Sequence, residues 1–180
     1  MRGPLGRRHR PQLEDPRSEQ SVAAEHQVIT PSPLRVNLSP LGFHYYASHF
    51  LAAARSAPPA RGFSPVGYYL YCRALELVLK AFLLERGVAK SELKKKALGH
   101  DLLRVLAKAD ELGLAALVEV TASEREELRK ANDYYVDKEF EYFGLISAVT
   151  GYSGLPDLAV MDQLAQRLVS GLHDCCLNAQ

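Results

Sequence analysis

Residues 68–87 read YYLYCRALELVLKAFLLERG, and this stretch decides the fold. Leu75, Val78, Leu79, Phe82 and Leu83 recur at three- and four-residue spacing, the period of one helix face. Leu77, Ala81 and Leu84 make much of the remaining circumference apolar too. A helix that is apolar nearly all round belongs at the centre of a bundle. Ser64-Pro65 supplies a start signal, a capping side chain followed by proline in the first turn. Gly87 stands where a C-terminal cap belongs, so a helix is expected from Val66 to Arg86.

The pattern repeats on either side. Ser39-Pro40 opens a helix expected to reach about Ser56, before Pro58-Pro59. A third helix is expected from near His100-Asp101, with Leu102, Leu103, Leu106 and Ala109 facing inward, ending at Gly113. A fourth starts at about Ser123, where Ser123 and Glu126 have capping-box spacing, and buries Leu128, Ala131 and Tyr135. A loop with Gly144, Gly151 and Gly154 leads to Pro156. The last helix carries Leu158, Met161, Leu164, Ala165, Leu168, Leu172 and Cys175 on one broad face. Strand patterns and repeats of 20–50 residues are absent from the sequence. The expectation is all-α: an up-and-down bundle of four to five helices over residues 40–180.

Residues 1–39 differ. They hold Pro4, Pro11, Pro16, Pro31 and Pro33, scattered charge and no apolar period, and are expected to form a flexible tail with a short ordered piece near Val28 and Ile29. Arg2, Arg7, Arg8 and Arg10 suit either a solvated end or a phosphate-contacting arm. Across the 180 residues, 47% are apolar, enough for a core, and 22 Lys+Arg stand against 21 Asp+Glu. That balance gives no global electrostatic pull toward nucleic acid. Cys72, Cys175 and Cys176 make no CxxC or Cys/His cluster, so neither a metal nor a cofactor is expected. Three thiols without a disulfide framework suggest a reducing compartment. The basic start MRGPLGRRHR lacks the apolar run of a secretory signal, and no stretch approaches the ~18 apolar residues of a membrane helix. The expected location is therefore cytoplasmic.

The chemistry-bearing residues concentrate in the central helix. Arg73, Glu76 and Lys80 lie at i, i+3 and i+7 on one face, and buried charges there need partners or solvent. His100, Asp101 and Tyr135 come from neighbouring segments and complete a polar cluster. One reading is a pocket for an anion, contacted by Lys80, Arg73 and His100; the other is an internal network that fixes helix register. Asp101 also suits a helix start. Tyr45, Tyr46, Tyr68, Tyr69 and Tyr71, with His44 and His49, suit base stacking or, more ordinarily, helix–helix contacts. Lys94, Lys95 and Lys96 suit a solvated linker or assistance to an anion near His100.

Three features in order resemble the HEPN (higher eukaryote and prokaryote nucleotide-binding) family: ALELVLKAFLL at 74–84, GHDL at 99–102 and NDYY at 132–135, followed by a linker and a closing helix. The resemblance covers about 110 of 180 residues. It implies a bundle of four or five helices, often a homodimer. Its members include RNA-cleaving toxins and defence factors, and others that act as partners of nucleotidyltransferases or bind RNA or nucleotides. Nuclease members carry Arg, four to six residues, then His, with a polar residue directly after the Arg. Here Arg167 and His173 match the spacing, but Leu168 follows the arginine. A spacing of six also turns two side chains ~120° apart on a regular helix. The preferred expectation is a non-catalytic binding or regulatory module in a toxin–antitoxin or defence setting. The alternatives are a metal-independent ribonuclease using Arg167 and His173, and a structural assembly domain.

Overall fold

In the computed structural model, residues 38–57, 63–94, 98–142, 149 and 151–179 are described. They belong to a compact unit spanning Arg35–Gln180. The expected tail up to residue 37, Pro58-Pro59, Lys95, Lys96 and Gly144 lie outside the described residues. Within them every regular element is helical: α1 (Pro40–Ser56), α2 (Pro65–Glu85), α3 (Lys90–Leu93), α4 (Leu102–Glu111), a 3₁₀ turn (Leu114–Ala116), α5 (Ala122–Tyr135), α6 (Leu158–Gly171) and α7 (His173–Asn178). The fold is an all-α bundle in which α1, α2, α4, α5 and α6 are the long members. No helix among the described residues is long and apolar enough to cross a membrane.

The central position of α2 follows from its composition. Every residue from Tyr71 to Leu83 except Arg73 is buried, and the helix touches α1, α4, α5, α6 and α7. Pro65 begins it, as proline's fixed φ allows, although Ser64 makes no side-chain cap. Its end is set by Gly87, whose φ of 85° lets the chain turn back. The amides of Gly87 and Val88 then bond the carbonyls of Leu84 and Leu83 at 3.1 and 2.9 Å, satisfying the last turn. At the start of α1, Ser39 accepts from the Gly42 amide at 3.1 Å.

Three local expectations need correction. The fourth long helix begins at Ala122: Thr121 is its cap, and the reciprocal bonds join Thr121 to Glu124, two residues before Ser123 and Glu126. In α4, Val105 is buried and Leu103 only half-buried. The closing helix breaks at Leu172 into α6 and α7. The break carries Cys176 into the core in place of Cys175, which is half-buried. Burial holds the Cys176 thiol up at about 12, far from a reactive thiolate.

Candidate functional site

Glu76 projects from the middle of α2 and its side chain is 1% exposed. A carboxylate in that position is costly unless every lone pair finds a donor. Four side chains from three elements provide them. Lys80, one turn along, donates to Oε1 at 2.6 Å. Oε2 accepts from Arg73 Nη1 at 3.0 Å, His100 Nδ1 at 3.1 Å and the Tyr135 hydroxyl at 2.5 Å. Because a carboxylate can only accept, His100 carries a proton on Nδ1. Burial alone would raise the Glu76 carboxyl, but the hydrogen bond from His100 and the charges of Lys80 and Arg73 outweigh it and hold it down at about 2. Burial and the adjacent carboxylate raise Tyr135 well above the usual phenol range, so it stays a donor.

The GHDL segment is built around this carboxylate. The Gly99 carbonyl accepts a second bond from Lys80, and His100 reaches Glu76. Leu102 enters the core with no exposed surface. Asp101 has the helix-start role: it caps α4 by accepting from the Arg104 amide at 3.1 Å and pairs with Arg104 Nε at 3.0 Å. It makes no bond to the Glu76 cluster among the described residues. In NDYY, Tyr135 and Asn132 face inward and Asp133 faces Arg129. Asn132 accepts from the Leu102 amide at 2.7 Å, tying α5 to the start of α4. Sequence reasoning had not singled out Asn132, although its spacing of three from Tyr135 puts both on one face.

Beside this network lies a pocket of about 320 Å³. Leu38 and Phe43 come from the α1 end, and Arg73, Glu76, Leu77 and Lys80 from α2. Lys90, Leu93 and Lys94 come from α3 and its end, and Gly99 and His100 from the turn before α4. Four cationic side chains thus share the wall with one carboxylate. Two of them, Arg73 and Lys80, already pair with Glu76, whereas Lys90 and Lys94 have no ion pair among the described residues. His100 remains 45% exposed at the pocket wall. Lys90 and Leu93 were not legible as site residues, because α3 is a single turn with no period, and Phe43 on α1 and Leu77 on α2 carry no signal beyond that of helix-packing apolar residues.

Arg167 and His173 engage different neighbours. Arg167, on α6, bonds Glu124 of α5 and is 44% exposed. His173, the first residue of α7, bonds Asp174 at 3.0 Å and meets the His44 ring edge-on at 5.4 Å. His44 is buried, donating from Nε2 to the Val169 carbonyl at 2.7 Å. The tyrosines divide: Tyr71 is buried, Tyr68 and Tyr69 are half-buried, and Tyr45 and Tyr46 are exposed, with Tyr45 against His49 at 4.1 Å. No cluster of His, Cys, Asp and Glu suited to a metal ion occurs among the described residues. In comparisons with known proteins, no family model, curated protein or solved structure matches the chain.

Proposed function

We propose that this chain is a non-catalytic, HEPN-like binding module that holds a phosphate-bearing ligand, a nucleotide or RNA, in the pocket beside Glu76. One observation carries the proposal: the pocket wall has four cationic side chains to one carboxylate, and that carboxylate is already saturated by internal donors. The protein therefore leaves positive charge facing a cavity, in the size range of small-ligand sites, for something else to answer. Glu76 and Tyr135 are the scaffold that holds Arg73, Lys80 and His100 in place, and the wall they form is the binding surface. The family resemblance extends the proposal to a cytoplasmic, self-associating regulator working beside a nucleotidyltransferase-type protein in a toxin–antitoxin or defence setting.

The ribonuclease alternative has less support. Arg167 is turned to Glu124 and His173 to Asp174 and His44, so within one chain they do not converge on a common space. The test is calorimetric titration with mononucleotides and with short mixed-sequence RNA, comparing the native chain with a Lys90→Glu/Lys94→Glu double variant. Binding that weakens with salt and falls at least tenfold in the double variant is expected. Absence of binding by either ligand class, or binding untouched by the double variant, overturns the proposal. RNA cleavage lost on Arg167→Ala and on His173→Ala would install the nuclease reading instead.

A further inference from the structure

Resting on that reading, we infer that the pocket takes one small phosphate monoester with a compact apolar body, and not a nucleic-acid strand. The first argument is charge. Arg73 and Lys80 share Glu76, which leaves Lys90 and Lys94 as the cations without a partner among the described residues. Two unanswered positive charges match a monoester, which carries about −1.5 to −2 near neutral pH. A phosphodiester link in a strand carries one charge, repeated along the chain, and sites for strands are grooves whose cations follow the backbone. Here the cations converge on one cavity of about 320 Å³.

The second argument is the rest of the wall. Phe43, Leu77 and Leu93 face the same cavity, and Leu77 and Leu93 are otherwise buried. An inorganic anion would leave that apolar surface against water, whereas an aryl or alkyl group beside the phosphate covers it. His100 stands between the two halves with its Nδ1 proton committed to Glu76. Its Nε2 is therefore an acceptor when the ring is neutral, suited to a hydroxyl on the ligand body. Ligand recognition then divides: lysine ammonium groups take the phosphate as point charges, and Phe43 with the leucines selects what the phosphate is attached to.

The experiment uses the full chain and four probes: inorganic phosphate, phenyl phosphate, the diester methyl phenyl phosphate, and a short single-stranded RNA without terminal phosphates. Calorimetry is expected to show phenyl phosphate binding at least tenfold more tightly than inorganic phosphate or the diester. Lys90→Ala/Lys94→Ala should remove at least tenfold of that affinity. Phe43→Ala, confirmed folded by its melting profile, should bring phenyl phosphate down to the level of inorganic phosphate while leaving inorganic phosphate unchanged. Equal binding of phenyl phosphate and inorganic phosphate overturns the inference, as does equal binding of the diester. RNA binding without phenyl phosphate binding overturns it too, but leaves the broader proposal standing. If no probe and no nucleotide binds, both fall.

Discussion

The Glu76 cluster and the Arg167–His173 end hold similar side chains in opposite surroundings. Each has an acid, an arginine and a histidine. At Glu76 the acid is 1% exposed, and its donors come from α2, α5 and the turn before α4. At the other end Arg167 is 44% and His173 51% exposed, and each bonds a different acid. The lesson is that shared burial, more than residue type or spacing, turns charged side chains into one unit: low dielectric makes each donor depend on the same acceptor. The two regions should therefore respond very differently to substitution.

The largest difference is expected on deleting the shared acceptor. Glu76→Ala leaves the Lys80 ammonium, whose side chain is 7% exposed, with the Gly99 carbonyl but no carboxylate, and removes the acceptor of the Tyr135 hydroxyl. Breaking a buried pair on one side costs about 3–5 kcal/mol. Urea denaturation measures it, and a loss below about 1 kcal/mol would place Glu76 in the same class as a surface pair.

Acid unfolding sharpens the contrast. The folded chain holds the Glu76 carboxyl at about 2, below the ordinary glutamate range, so the unfolded chain takes up this proton first as pH falls. The stabilisation is complete above the unfolded value of about 4.3, drains away as pH falls toward about 2, and is on the order of 3 kcal/mol. Other carboxylates are also depressed, among them Glu124 and Asp162, so the native curve is a composite. Unfolding midpoints of Glu76→Gln against pH should show a shallower acid limb than the native chain. Parallel limbs would mean that Glu76 keeps its proton balance unchanged on folding.

A smaller effect is expected at Asn132, which supports the cluster without belonging to it. Asn132→Ala leaves the buried Leu102 amide without its acceptor, a cost of about 1–3 kcal/mol. Chemical denaturation reads the loss, and ligand binding in the folded variant should persist, because Asn132 does not line the pocket.

Much of this was legible in the sequence where local signals agreed. Ser39-Pro40 and Ser56 mark the limits of α1 as expected, and the all-round apolar α2 lies at the centre. The i, i+3, i+7 stripe forecast which charges meet, because a single helix fixes their spacing. Legibility failed where tertiary contacts chose between equal local options. The run TASERE offers two capping boxes of the same spacing, and Thr121–Glu124 is the one whose acid also meets Arg167 from α6. The apolar period runs unbroken through Leu172, yet the helix breaks there. A Cβ on the preceding Gly171 would lie 2.4 Å from Val118 Cγ2, so this end is fitted against the segment after α4. On the pocket's outer wall Lys94 was legible as an aid to an anion near His100, whereas Lys90 was hidden because it comes from a four-residue helix.

The smallest effect belongs to Arg167. It shares Glu124 with the capping box, where the Thr121 amide and hydroxyl each reach Glu124 Oε2 at 2.9 Å. Removing the arginine therefore leaves the acid with its local donors, whereas removing Glu76 takes the shared acceptor from four donors at once. The arginine is nearly half exposed, so water replaces much of what it loses and salt screens the rest. Arg167→Ala is expected to cost less than about 1 kcal/mol by urea denaturation, with a difference from the native chain that shrinks as salt rises. A cost above about 2 kcal/mol, insensitive to salt, would show that the α5–α6 pair is coupled as tightly as the Glu76 cluster and remove the contrast between the two regions.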